Sequence, residues 1–134
     1  MNQDEQNINL LSIFHYVLGA LTILGSCVFF IHIGVGIAAL SGHLDSKDAM
    51  PLGFGWIFVI MGSVAVLLGW TLGILMVVTG KKLKMRTSRM FCLVVAGIEC
   101  IITPFGTVLG VFTIVTLMKE SVIQLFSANQ PQIT

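Results

Sequence analysis

Apolar residues fill this chain in long stretches, and charged residues, Glu99 apart, are confined to the segments between and beside them. No Asp, Glu, Lys or Arg occurs between Glu5 and Asp45, or between Asp48 and Lys81. A bilayer core is crossed by about 20 apolar residues in a helix, the form in which a single segment satisfies its own backbone in lipid. The pattern therefore predicts membrane-crossing helices over about 10–40 and 52–80. The first would be about 46 Å long against a core of about 30 Å, so it must tilt, kink or project. Pro51 suits the first turn of the second helix, and Gly80 is expected to end it.

A third apolar stretch, Met90 to Met118, is interrupted by Thr103-Pro104-Phe105-Gly106-Thr107. Pro before Gly in such a run suits a turn, and Thr107 is placed to cap a new helix. Two further spans are then expected, over about 86–103 and 107–126, with Lys84, Arg86 and Arg89 snorkelling to the interface. The fold class that follows is an all-α membrane protein, a small bundle of four transmembrane helices. The alternative is three, the last kinked at Pro104.

Composition agrees with this class, since 56% of the residues are hydrophobic and 10% are charged. The 134 residues suffice for three or four spans, which implies one membrane domain over 1–134 and a disordered tail over 127–134. Of seven basic residues, Lys81, Lys82, Lys84, Arg86 and Arg89 form one cluster. Basic residues in short loops stay cytoplasmic, which puts this loop and the N-terminus inside and the loop at 41–50 outside. Trp56 and Trp70 fall where interfacial aromatic belts are expected. Met1 to Asn9 has no Lys or Arg, unlike the start of a signal peptide, so the first span is expected to remain as an anchor. The net charge of +1 makes no case for nucleic acid.

The run from Gly69 to Phe126 has an apolar span, a basic loop, a further span and a segment P-x-G-T-x-L-G-x-aromatic. Pro104, Gly106, Thr107, Leu109, Gly110 and Phe112 supply that last motif. In this it resembles a class of small, uncharacterised bacterial multi-pass membrane proteins. The resemblance implies a bacterial inner-membrane location and carries no activity, so it assigns no residue a role.

Few residues are available for chemistry. Glu99 is the single acid within the expected spans, and a carboxylate at that depth costs on the order of 3 kcal/mol, which marks it as a functional candidate or as hydrogen-bonding glue between helices. Counted from a helix start near Lys84, Glu99 lies about 22 Å along, in the outer half. His32 lies in the outer half of the first span, so a His32–Glu99 contact is allowed, whereas His15 lies near the inner face. Haem between facing helices needs two imidazoles, and helices two to four carry none. Cys27, Cys92 and Cys100 lack metal-ligand spacing. No catalytic residue, cofactor or metal is therefore expected, and no enzyme.

Glycine accounts for 14 residues, including the pairs Gly69 with Gly73 and Gly106 with Gly110. Small residues four apart let helices approach closely in lipid, either within the bundle or between copies of the chain. The function expected from these features is that of a scaffold or accessory subunit in the bilayer, associating with itself or within a larger membrane complex. The alternative is a small oligomeric channel or transporter using Glu99 and His32.

Overall fold

The computed structural model describes residues 3–42, 52–101 and 104–129, and the described chain is helical throughout its regular structure. The segments are α1 (Gln3–Ser26), α2 (Phe29–Leu40), α3 (Leu52–Met85), α4 (Arg89–Glu99), α5 (Phe105–Leu117) and α6 (Glu120–Ala128). Gln3–Leu40 and Gly53–Met85 are long and apolar enough to cross a membrane; a third candidate arises only if α5 and α6, bent by 77°, count as one span.

The first apolar stretch is one candidate span interrupted at Cys27 and Val28. There the amides of Cys27 and Val28 bond three residues back, to Leu24 O at 3.1 Å and Gly25 O at 3.2 Å. The adjacent Gly25-Ser26 pair is the cause: the Ser26 hydroxyl donates to Ile23 O at 2.7 Å, competing with the α-helical ladder. α3 does not stop at Gly80 as expected but continues to Met85, with Lys82 and Lys84 in its last turn. Cations there complement the helix dipole. The missing side chain of Gly80 serves a lateral approach instead, since a Cβ would lie 2.9 Å from Ser12 O.

Among the described residues four spans are not found. At 1.5 Å per residue the 11 residues of α4 and the 13 of α5 reach about 16 and 20 Å, each short of a core of about 30 Å. The two helices are antiparallel: Arg89 Nε donates to Leu117 O at 2.8 Å at the open end, and Thr107 Oγ1 donates to Cys100 O at 2.8 Å near the turn. Thr107 thus lies inside α5 and bonds across the hairpin, while Pro104 takes the cap position. Gly110 touches Ala96 O, and a Cβ on it would stand 2.7 Å from Cys100 Sγ, so glycine there sets the close spacing. Residues 102–103, with the expected turn residue Thr103, and residues 43–51, with most of the loop expected to face outward, lie outside the described residues. Of the tail, Ser127 and Ala128 are helical and 130–134 lie outside the described residues.

The chain divides into two compact units, Met1–Gly19 with Leu75–Thr134, and Ala20–Ile74. In the second, α2 and the last turns of α1 pack on α3 through glycines seven residues apart. A Cβ on Gly55 would meet Leu40 and Gly36 O, one on Gly62 would meet Ile33 and Phe29 O, and one on Gly69 would meet Ser26. In the first unit, Ile8, Leu11, Leu83, Cys92, Leu109, Leu117, Val122 and Phe126 form a buried apolar cluster. It joins the start of α1 and the end of α3 to the α4–α5 hairpin and α6.

Candidate functional site

The first unit encloses two ionisable side chains. His15 and Glu99 are 0% and 1% exposed, and His15 Nε2 lies 3.1 Å from Glu99 Oε2. The contact corrects the expected His32–Glu99 pairing. Each residue arrives at the same height by helical geometry: His15 is ten residues beyond Glu5 on α1 and Glu99 is ten beyond Arg89 on α4, about 15 Å in each case. At the other end Glu5 Oε1 is 3.1 Å from Arg86 Nη2, which anchors α1 to the segment leading into α4.

The imidazole is oriented by its own helix. His15 Nδ1 lies 2.9 Å from Leu11 O, and because a carbonyl only accepts, Nδ1 carries hydrogen and Nε2 faces the carboxyl group. The approach has ion-pair distance but not hydrogen-bond alignment, and Glu99 Oε1 has no hydrogen-bond partner among the described residues. We therefore treat the contact as an electrostatic pair rather than a formed hydrogen bond.

Close helix packing brings the pair together. Ser12, one turn before His15, donates to Gly80 O at 2.6 Å, and a Cβ on Gly80 would come 3.3 Å from His15 Cβ. In the same unit Thr79, Cys92 and Thr113 are fully buried. Thr79 bonds back to Leu75 O at 2.9 Å, whereas Thr113 Oγ1 lacks a partner among the described residues.

The other residues singled out from the sequence are dispersed. His32 belongs to the second unit, exposed and stacked on Phe58 at 5.9 Å with Phe29 at 5.5 Å. Gly69 faces Ser26, Gly110 faces α4, and Gly73 and Gly106 are buried. Within the basic loop Arg86 pairs with Glu5, Arg89 bonds Leu117 O, Lys82 reaches Ser88 Oγ at 3.2 Å, and Lys81 and Lys84 are exposed. Among the described residues no three His, Cys, Asp or Glu side chains converge as a metal site would require.

A second polar contact was not singled out from the sequence. Asp4 accepts from Ser121 at 2.6 Å and pairs with Lys119 at 3.0 Å, tying the start of α1 to α6. The signal lay in charge signs: Asp4 and Glu5 belong to the same face as the basic residues once both are placed inside. Asp4 precedes the apolar stretch, and the Ser121 hydroxyl, followed by the Lys119 ammonium, holds its carboxyl below the usual range.

Comparison of the chain with protein-family models, with curated proteins and with solved structures gives no match.

Proposed function

We propose that this chain is a structural membrane protein, a scaffold or accessory subunit of the bacterial inner membrane that associates with itself or with another membrane protein. The observation that carries this reading is the closure of the His15–Glu99 pair. The acid of the apolar stretches is matched within the chain by an imidazole, and neither side chain reaches solvent. A conduction path would need its polar groups accessible and aligned. Here the Ser12 and Ser26 hydroxyls are occupied by carbonyls of the same chain, and His32 belongs to the other unit, stacked on Phe58 and away from the pair.

The topology that accords with this reading has two full spans, α1 with α2 and α3, and an α4–α5 hairpin entering from the cytoplasmic side to about half depth. The basic loop lies at the mouth of the hairpin, and the tip carries Ile101 and Phe105, 80% and 73% exposed and apolar, as lipid contact requires. α6 then lies along the inner interface, with Val122 and Phe126 turned inward. No catalytic step is part of this proposal.

Reconstitution into liposomes with an entrapped pH indicator tests it. The wild type and Glu99→Gln should show the same slow acidification as empty vesicles, while the detergent-solubilised protein has a mass set by assembly. A proton flux abolished by Glu99→Gln would replace this reading with the channel.

A further inference from the structure

We infer that a pocket between the basic loop and α6 binds the phosphate of an anionic phospholipid headgroup. The inference rests on the membrane placement proposed above and not on the structural role. The cavity, of about 390 Å³, has a lining divided between polar Ser88, Arg89 and Ser127 and apolar Met90, Phe91, Ile123 and Phe126. That division suits a molecule charged at one end and apolar at the other, located where the apolar stretch of the chain begins.

Charge accounting points to an anion. Of the acids near this end of the chain, Asp4 is taken by Lys119 and Glu5 by Arg86. Lys81, Lys82, Lys84 and Arg89 are left without an acidic partner among the described residues, and the remaining acid of the region, Glu120, does not line the cavity. Arg89 lines the cavity, and Lys82, outside the lining, reaches two residues that belong to it. The Lys82 ammonium turns back over the loop, 5.3 Å from the centre of the Phe91 ring and 3.2 Å from Ser88 Oγ. Arg89 is fixed by its Nε bond to Leu117 O, which leaves its terminal guanidinium nitrogens for a ligand.

The Ser88 hydroxyl accepts from Lys82 and keeps its own hydrogen to donate. Hydroxyl, ammonium and guanidinium together form a donor set for phosphate oxygens, and the guanidinium plane suits two of those oxygens at once. The loop backbone holds this set in place: Arg86 and Ser88 both adopt positive φ, 53° and 52°, and the Thr87 amide closes on Lys82 O at 2.9 Å. Lys81 and Lys84 belong to the same loop and, unlike Lys82, make no hydrogen bond or ring contact with a residue of the lining among the described residues. A held site and a diffuse surface charge therefore make different demands on the four cations.

Thermal unfolding of the full chain in an uncharged detergent, titrated with short-chain phosphatidylglycerol, phosphatidylcholine or inorganic phosphate, tests the inference. Phosphatidylglycerol should raise the midpoint saturably and phosphatidylcholine should not. Lys82→Gln should weaken the apparent affinity about fivefold, the effect of one cation near an anionic lipid, and Lys82→Arg should restore it. Ser88→Ala should weaken it as well, and Lys81→Gln with Lys84→Gln should leave it within twofold. These variants spare the Arg89–Leu117 bond, so the hairpin stays closed. Equal loss in the Lys81 and Lys84 variants would mean diffuse attraction and would overturn the site. So would equal responses to both lipids, and saturation by inorganic phosphate would replace the lipid with the free ion. The unliganded melt reports the fold independently of all these outcomes.

Discussion

Lys119 Nζ lies 3.0 Å from Asp4 Oδ1, joining the residue before α6 to the first turn of α1. The contact places the start of the chain and the end of the α4–α5 hairpin on one face. It goes with the bend: Lys119 is extended, with φ −67° and ψ 136°, and α6 leaves α5 at 77°. A straight continuation would carry Val122 and Phe126 away from the Ile8, Leu11 and Leu83 cluster that they help to bury.

The proposed half-depth placement of the hairpin has a direct consequence for labelling. In a background without Cys27, Cys92 and Cys100, a cysteine at Ala128 should react with a membrane-impermeant reagent from the same side as one at Ser88. One at Ser41 should react from the other side. A cysteine at Ile101 should react from neither side and only with a membrane-permeant reagent. Labelling of Ile101→Cys from the side that reaches Ser41 would mean that the hairpin crosses completely and would restore four spans.

Glycine substitutions should divide by what a Cβ would meet. Gly69→Ile should cost about 1–3 kcal/mol of stability and lower the yield without releasing a stable monomer, because the side chain meets Ser26 within the same chain. Gly34→Ala, with nothing within 4 Å of its Cβ, should be neutral or stabilising by about 1 kcal/mol through helix propensity. Thermal melts and the detergent-solubilised mass of the two variants provide the check. A well-folded Gly69→Ile monomer would move this glycine face to an interface between copies.

The Asp4 contact should depend on pH with a defined sign. Its carboxyl is held below the usual value, so the contact contributes stability above the ordinary carboxylate range, and that contribution is lost as the pH falls through the lowered value. The protection of the α6 amides relative to the intrinsic exchange rate at each pH should therefore fall on acidification toward pH 3, and Asp4→Asn should show the reduced protection at neutral pH. Identical exchange in wild type and variant across that range would remove Asp4 as the tie on α6.

Long apolar runs made the two full spans legible, because a 30-residue stretch without charge has few alternatives to crossing a bilayer. The hairpin was legible as a turn and not as a depth. Pro104 and Gly106 mark where the chain reverses, while the arm lengths depend on where helices stop at Glu99 and Leu117. Lys119 and Glu120 end the apolar run without marking a bend, which goes with the burial of Val122 and Phe126 against residues distant in sequence. Glu99 and His15 both stood out, yet a helix counted from Lys84 places Glu99 about 22 Å deep and level with His32. The helix begins at Arg89, which lowers Glu99 to about 15 Å and level with His15. The glycines at 55, 62 and 69 repeat at seven residues, a spacing as visible as the four-residue pairs and more informative about the α2–α3 contact.

The central claim is that His15 and Glu99 form a closed structural pair, each the other's compensation for burial. A double-mutant cycle on chemical unfolding in detergent, with His15→Leu, Glu99→Leu and both together, measures that compensation. Each single change strands a buried polar partner and should cost about 3–5 kcal/mol, whereas the double change removes both groups and should recover most of that loss. Single changes of under about 0.5 kcal/mol that simply add in the double variant would contradict the pair, leaving two independent side chains and no structural tie between α1 and the hairpin.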